Sequence, residues 1–182
     1  MTSLAWPLER NQIRRDVRNN AFGMVRNGGA RAHQGWDLVA APMTPCYAIA
    51  DGRIQLVATL GDLGKIIQLE FQHRGRTLYA AYCHLSFTLV SEDERVKRGA
   101  RIGYTGNSGN AKTMTGEDQH LHFEIRTVDN PRSGLATRLD PARLYGRAPI
   151  GWIYFEDHGQ KISTAGALGL KARGINVREG AK

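Results

Sequence analysis

The sequence has only two cysteines, Cys46 and Cys83, among its 182 residues. A small disulfide-rich scaffold needs several bridges, and a thiolate zinc site needs closely spaced Cys-x-x-Cys pairs, so both classes are excluded. Any metal ion that the chain binds must therefore be held by histidine and carboxylate ligands. The sequence does not fix the distance between the two cysteines, so a disulfide and two free thiols both stay open.

Long apolar runs are also missing. No stretch approaches the roughly 20 apolar residues that cross a bilayer, so we expect no membrane span. Residues 1–7 are too short and too interrupted to form the apolar core of a signal peptide. Arg14-Arg15 is followed by Asp16 rather than by an apolar run, which argues against a twin-arginine signal. We expect no classical export signal in this chain.

Acidic residues are fewer than basic ones, 17 against 25, and the formal net charge is +8. A basic chain favours polyanionic partners such as nucleic acid, anionic lipid surfaces or acidic wall polymers. The Lys and Arg residues form no long basic block, and an aromatic content of 8% gives no ordered stacking platform. A nucleic-acid-binding β-domain is therefore the weaker interpretation, and we expect no nucleic-acid partner.

Glycine is abundant, and its 21 residues fall repeatedly between short apolar runs. This pattern predicts an all-β protein, with a mainly antiparallel sheet and few short helices. Short turns between apolar runs predict antiparallel hairpins, with residues 47–50 pairing ahead of the Asp51-Gly52 turn. The predicted strands are residues 53–60, 65–72, 76–85 and 120–127, with an exposed loop at 111–119 and a helical turn at 140–145.

The sharpest local pattern is the strict alternation of polar and apolar residues from His120 to Ile125. In a strand, it places His120, His122 and Glu124 on one face and directs the residues between them into the core. Two imidazoles about 6 to 7 Å apart on one face can converge on a metal ion or on its bound water. The alternative is a pair of surface histidines. Glu124 could orient a ligand, but a solvated carboxylate at the rim is the simpler interpretation.

Two weaker patterns accompany this one. His33 and Asp37 lie four residues apart around Gly35, where a twist or bulge could aim both side chains at one ion. His84 ends a predicted strand, where alternation puts it on the face of Tyr82. Each pattern alone is usually structural. Four of the six histidines nevertheless fall within these three short segments.

Along the chain, the three patterns read His-x-x-x-Asp, His-Leu and His-x-His. In this order they resemble the motifs of the lysostaphin/LytM-type zinc metallopeptidases, a family of peptidoglycan endopeptidases. Several flanking segments are similar to the same family, and the resemblance covers about residues 22–145. It implies a lysostaphin/LytM-like peptidase fold. The flanking segments are Phe22-Gly23 followed by Arg26, Asp51-Gly52-Arg53-Ile54, residues 96–103, Gly106-Asn107-Ser108-Gly109 and Leu139-Asp140-Pro141.

The resemblance implies that His33, Asp37 and His122 bind one Zn²⁺ ion, and that His84 and His120 are catalytic residues beside the water and the substrate. Tyr82 and Asn107 are expected to contact the substrate. The glycine-rich segment 107–110 can wall a groove for an extended peptide. The chain is then divided into a lead-in segment (1–21), a catalytic domain (22–146) and a C-terminal extension of unknown role (147–182).

The family hydrolyses cross-links of bacterial peptidoglycan, either D-Ala to diaminopimelate bonds or glycine bridges, and we favour the first. The alternative is a non-catalytic module that binds peptidoglycan or regulates its turnover. The enzyme would act in the cell wall or periplasm of its own or a target cell. Without a visible signal, it could have lost a signal sequence, be released by lysis, or be injected into rival cells. The last option is favoured and predicts an antibacterial toxin with a dedicated immunity protein.

Overall fold

The computed structural model of the protein describes residues 4–154, which are dominated by β-strands, as predicted. Two α-helices of one turn each and four short 3-10 turns connect the strands. The elements are β1 (Arg10–Asn11), α1 (Val17–Asn20), β2 (Gly23–Arg26), β3 (Arg31–His33), β4 (Trp36–Val39), β5 (Pro45–Tyr47), β6 (Gly52–Leu60), β7 (Gly64–His73), β8 (Arg76–Thr88), β9 (Arg95–Val96), β10 (Arg101–Thr105), β11 (His120–Arg126), β12 (Arg138–Leu139), α2 (Ala142–Tyr145) and β13 (Ile153–Tyr154), with 3-10 turns at Asn27–Gly29, Gly61–Leu63, Gly109–Ala111 and Gly116–Asp118.

One nine-stranded antiparallel sheet organises the fold. Its main path is β12-β11-β8-β7-β6-β9, with β4 beside β11 and with β10 between β8 and β5. The predicted strands at 53–60, 65–72 and 76–85 correspond to β6, β7 and β8, and they form consecutive hairpins. Arg74 and Gly75 both have positive φ at the β7–β8 turn, a conformation that matches the twist of a tight hairpin.

The expected pairing of residues 47–50 with the first of these strands is wrong. β5 pairs with β10, where Tyr47 lies opposite Arg101, and the backbone of Ala48 continues this contact at Gly99 and Ala100. β6 already has a neighbour on each side, because it pairs with β7 along its length and with β9 at its start. No free edge of β6 is therefore left at this position for residues 47–50.

The hydrophobic core includes residues from the N-terminal segment that was expected to be only a lead-in. Ala5, Leu8 and Ile13 are buried in the same cluster as Leu121 and Phe123 of β11. The ring of Trp6 stacks on that of Tyr145, at 4.2 Å between centroids. Strand β1 also pairs with β13. The N-terminal segment is thus packed into the fold that carries the central sheet.

Within residues 4–154 no helix is long and apolar enough to cross a bilayer. Residues 155–182 of the predicted C-terminal extension lie outside the part of the chain that the structure describes.

The two faces of β8 contribute to different apolar clusters. Tyr82 packs into the main core, whereas Ala81 and Cys83 form a smaller cluster with Ile66. Cys46, which belongs to the main core, and Cys83 are both buried free thiols. Burial raises the pKa of each thiol well above its usual range, so both stay protonated.

Candidate metal centre

Two neighbouring strands bring the first two ligand candidates together. β4 and β11 pair in a register that places Asp37 opposite His122. Gly35 permits this approach, because a Cβ atom there would lie 2.2 Å from the carbonyl oxygen of Phe123 in β11. His33 ends the preceding strand, β3, only four residues from Asp37. The glycine between β3 and β4 therefore lets both short strands converge on the polar face of β11.

Three donor atoms meet at this point. His33 Nε2 lies 3.1 Å from Asp37 Oδ1, His122 Nδ1 lies 2.8 Å from the same oxygen, and the two nitrogens are 3.3 Å apart. Ligand atoms at about 2.0–2.1 Å from a tetrahedral zinc ion are about 3.3 Å from one another. All three residues are buried. The size and the chemistry of this triangle therefore fit one small divalent cation with two nitrogen ligands and one oxygen ligand.

Each of these three side chains also contacts a polar group outside the triangle. The Nδ1–H of His33 donates to the carbonyl oxygen of Ala21 at 2.8 Å, and Arg26 Nη2 donates to Asp37 Oδ2 at 2.5 Å. His122 Nε2 lies 3.0 Å from Glu124 Oε1. Outer partners of this kind fix the tautomer and the orientation of metal-binding imidazoles and carboxylates. The arrangement is that of a preorganised site.

The charges of the site match a cation at its centre. Burial raises the pKa of Asp37, but hydrogen bonds with His122 and His33 outweigh it and hold that pKa well below the usual range. Burial lowers the pKa of His122, whereas its contacts with Asp37 and Glu124 raise it to about 9. The polypeptide alone thus holds a proton between two carboxylates, in the place where a metal ion would supply positive charge.

His84 reaches the site through a bulge in β8. The β7–β8 register contains one extra residue on β8 between Tyr82 and Leu85, and His84 has φ 61, which is uncommon for a residue other than glycine. Its ring therefore faces His120, at 5.2 Å between centroids, while Tyr82 points into the core. The prediction that His84 and Tyr82 share a face is wrong, because regular alternation does not extend across a bulge.

His84 and His120 are oriented in the same way. Each uses Nδ1 to contact a carbonyl oxygen, that of Ser108 at 3.0 Å for His84 and that of Asp118 at 2.8 Å for His120. A carbonyl oxygen only accepts, so Nδ1 carries the proton, and Nε2 of the neutral ring has a free electron pair. Burial lowers the pKa of His84 to about 4 and also lowers that of His120. Both rings are therefore neutral at pH 7 and can take up a proton at Nε2.

The two residues expected to contact substrate lie elsewhere. Tyr82 has no exposed surface, and its hydroxyl donates to the carbonyl oxygen of Tyr47 and accepts from the amide of Ile49. The prediction that Tyr82 binds substrate is wrong, because hairpin β7–β8 turns its ring into the core. Asn107 does not line the groove that opens above the histidines, whereas Asn110, three residues later, does.

The interpretation of Glu124 as a solvated rim carboxylate is also wrong. Its side chain is completely buried, with His122 on one oxygen and the guanidinium groups of Arg126 and Arg138 on the other. Strand alternation correctly placed it beside His122 but gave no information about what covers that face. Sequence reasoning also missed the roles of Arg26 and Arg126. Arg126 continues the spacing of His120, His122 and Glu124, a signal that could have identified it.

A groove of about 410 Å³ opens above these side chains. His33, Asp37, His84, His120 and His122 all line it. The walls come from four chain segments that are far apart in sequence: β3 with Ala30 and Gln34, the β6–β7 turn, the segment before β11, and the loop before β12. The five predicted histidine and aspartate residues are thus brought together beneath a space large enough for part of a peptide.

The sequence profile of peptidase family M23 matches residues 31–134, more than half of the chain. The chain belongs to peptidase family M23. An uncharacterised metalloprotease of Haemophilus influenzae is 39% identical over 113 residues, which are 62% of this chain and 22% of that relative. The peptidoglycan DD-endopeptidase ShyA of Vibrio cholerae is 33% identical over 110 residues, 60% of this chain and 24% of that relative. The match therefore spans less than a quarter of the length of these relatives.

Solved structures of peptidases share the fold. The catalytic domain of the antimicrobial peptidase lysostaphin from Staphylococcus simulans superposes with a TM-score of 0.56 at 26% identity, covering 77% of this chain and 93% of that domain. A zinc-containing peptidase from Vibrio cholerae gives a TM-score of 0.56 at 26% identity, covering 74% of this chain and 41% of that one. The predicted lysostaphin-like fold of this M23 chain is thereby confirmed.

Proposed function

We propose that this M23 chain is a zinc-dependent endopeptidase that hydrolyses peptide cross-links of bacterial peptidoglycan. One observation carries the proposal: the nitrogen and oxygen atoms of His33, Asp37 and His122 form a zinc-sized triangle at the floor of a groove, with His84 and His120 beside it. Three protein ligands and room for a fourth are typical of catalytic zinc sites, whereas structural sites use four protein ligands.

His33 through Nε2, Asp37 through Oδ1 and His122 through Nδ1 would hold the ion. A zinc ion at such a site supplies a Lewis acid and lowers the pKa of a water molecule from 15.7 towards about 7. Other residues of the chain orient the ligands and exclude water. Arg26 holds Asp37, Ala21 holds His33, and buried strands exclude bulk solvent from the floor of the groove.

His84 and His120 are the proposed catalytic residues. Their Nδ1 atoms are occupied by carbonyl oxygens, so each ring offers the free electron pair of Nε2 to the groove side of the site. His120 Nε2 lies 3.5 Å from Asp37 Oδ1 and is thus next to the ligand triangle. A neutral imidazole there can take the proton of the attacking water and return it to the leaving amine. The resulting imidazolium can donate a hydrogen bond to the negative charge that develops on the scissile carbonyl oxygen.

Among cross-links, we favour the bond between D-Ala and diaminopimelate over glycine bridges. Arg31 is exposed at the groove, where it can attract the free carboxylates of a diaminopimelate peptide, which a glycine bridge lacks. A relative named as a peptidoglycan DD-endopeptidase, ShyA, is also 33% identical to this chain over the matched residues. The long-range charge of +8 favours approach to anionic wall polymers in either case.

A second function has one specific observation in its favour. The murein hydrolase activator NlpD of Escherichia coli is 31% identical over 122 residues, 66% of this chain and 27% of that protein. Its name describes activation of hydrolases rather than hydrolysis. The presence of all five site residues in this chain, each oriented by an outer contact, favours the enzyme.

Digestion of defined sacculi distinguishes the two functions. Purified walls containing either direct diaminopimelate cross-links or glycine bridges are incubated with the zinc-loaded chain, and the released muropeptides are identified by mass spectrometry. We expect cleavage of D-Ala to diaminopimelate bonds, which stops with a chelator and returns when zinc is restored. An activator would leave the sacculi intact with or without zinc while stimulating a separate hydrolase, and this outcome would refute the enzyme.

Delivery into rival cells and an immunity protein stay predictions from the sequence. If the chain is such a toxin, an immunity protein would need to cover the groove, because all five proposed ligands and catalytic residues line it.

A further inference from the structure

A fully buried cluster of charges lies behind the metal-binding face of β11. Glu124 Oε1 contacts His122 Nε2 at 3.0 Å, on the side of the ring opposite to the metal triangle. Glu124 Oε2 accepts from Arg126 Nε at 2.7 Å and from Arg138 Nε at 2.9 Å. None of these charged side chains is more than 4% exposed. Burying a charged side chain costs free energy unless the charge is paired. The cluster must therefore hold its charged groups close together in a fixed arrangement.

The hydrogen-bond chemistry of the cluster fixes which nitrogen of His122 carries a proton. Two guanidinium donors on Oε2 keep Glu124 ionised, and an ionised carboxylate can only accept. His122 must therefore donate Nε2–H to Oε1, which leaves Nδ1 as the nitrogen that faces His33 and Asp37 and that can bind a metal once its proton is released. Arg126 is itself anchored on β7, because its Nη1 donates to Gln68 Oε1 at 2.5 Å.

The same cluster reaches the wall of the groove. Arg138 Nη1 donates to the carbonyl oxygens of Arg132 and Gly134, at 2.6 and 2.9 Å. Ser133 and Gly134 line the groove on the side of the loop before β12. One buried carboxylate thus joins a ligand of the metal triangle to a segment that shapes the substrate space.

We propose that Glu124 is a positioning residue that selects the metal-binding tautomer of His122, with Arg126 and Arg138 holding its carboxylate in place. The proposal rests on the proposed function, since it gives His122 the role of a zinc ligand. It assigns to Glu124 no contact with substrate or with the metal. Its effect is on the affinity of the site for zinc.

The substitution Glu124→Gln tests this role with almost no change of volume. The two arginine donors require an acceptor, so the amide oxygen would face them and the amide NH₂ would face His122. An NH₂ group favours a free electron pair on Nε2 and a proton on Nδ1, which is the wrong tautomer for binding. We expect the affinity for zinc, measured by competition with a chromophoric chelator, to fall by about 10- to 100-fold.

Glu70→Gln is the matched control. Glu70 is a partly exposed carboxylate of β7 that pairs with Arg53, at 3.0 Å, and it does not line the groove. The zinc affinity of Glu70→Gln should stay within about twofold of the wild type. Equal zinc affinities of Glu124→Gln and wild type would overturn the proposal. A wild-type chain that binds no zinc would overturn both this proposal and the proposed function.

A measurement on the wild type keeps the proposal testable if Glu124→Gln does not fold. In the metal-free chain with ¹⁵N-labelled histidine, at an alkaline pH where the ring is neutral, the single proton of His122 should reside on Nε2 and exchange slowly with water, because it is buried and bonded to Glu124. His122→Ala identifies the signal by its loss. A spectrum in which the proton of this ring resides on Nδ1 would refute the selection of the tautomer by Glu124.

Discussion

The two histidines of the proposed metal triangle use different ring nitrogens, and their outer partners decide which. The carbonyl oxygen of Ala21 takes Nδ1–H of His33 and leaves Nε2 for the metal, whereas Glu124 takes Nε2–H of His122 and leaves Nδ1. His84 and His120 also have Nδ1 occupied, but neither belongs to the group of donor atoms that could hold one ion. At the scale of single residues, we propose that position relative to the triangle separates metal binding from proton transfer.

This difference predicts two classes of variants. His33→Ala and His122→Ala should lose both zinc and activity, because each removes a ligand atom. His84→Ala and His120→Ala should keep one zinc per chain while activity on sacculi falls by about 10²- to 10⁴-fold, the usual contribution of acid–base groups. Metal content by elemental analysis and turnover by muropeptide release measure the two effects separately. Full zinc in the His122 variant, or its loss in the His120 variant, would contradict the assigned roles.

At the scale of elements, the close contact between β4 and β11 determines the geometry of the site. Asp37 faces His122 because these strands are in register, and Gly35 lets the chain pass against the backbone of Phe123. The outer edge of β4 is covered by the N-terminal segment, where the amide of Arg14 donates to the carbonyl oxygen of Asp37. Asp37 is thus fixed between two neighbouring segments of backbone.

Gly35→Ala should therefore damage both stability and the metal site. The added methyl group would lie 2.2 Å from a backbone oxygen, which cannot move without shifting β11. Such overpacking costs about 1–3 kcal/mol, and the displaced Asp37 should lower the zinc affinity as well. Urea unfolding and chelator competition measure these two effects.

Gly151→Ala is the control for this glycine, because nothing lies within 4 Å of a Cβ atom there and its backbone is not in the left-handed region. It should change the free energy of unfolding by less than about 0.5 kcal/mol. A Gly35→Ala variant as stable and as tight for zinc as Gly151→Ala would show that β4 and β11 tolerate separation.

At the scale of the whole molecule, the site exists only in the folded chain. Its ligands come from three strands, and His33 and His122 are separated by 89 positions in sequence. The groove walls add segments from the β6–β7 turn and from the loops before β11 and β12. Since an unfolded chain cannot hold these donors together, the free energy of zinc binding should stabilise the fold.

Zinc should therefore raise the melting temperature. Free zinc at 100 times its dissociation constant stabilises the folded state by about 2.7 kcal/mol, which corresponds to roughly 5–10 °C for a chain of this size. Calorimetry with zinc and with a chelator measures the shift. His84→Ala should keep the shift and His122→Ala should abolish it. A chain whose melting temperature is the same with zinc and with chelator would contradict zinc binding by the folded state.

Local patterns in the sequence were sufficient for much of this fold. Strands β6, β7, β8 and β11 were predicted because apolar residues alternate or cluster with strand spacing and glycines punctuate them. The alternation from His120 to Ile125 correctly put Leu121, Phe123 and Ile125 in the core, because the two-residue period of a strand is a local property. The order of the histidine and aspartate motifs indicated the family that the profile match confirms.

Only the tertiary structure decided the features that depend on contacts between distant segments. The bulge that turns His84 away from Tyr82 is visible only in the β7–β8 register, and the burial of Glu124 depends on Arg138, fourteen residues away. The choice of ring nitrogen likewise depends on partners such as Ala21 and Glu124. A sequence period specifies the face of a strand on which a side chain lies, but the surroundings of that face are set by the packing of the whole chain.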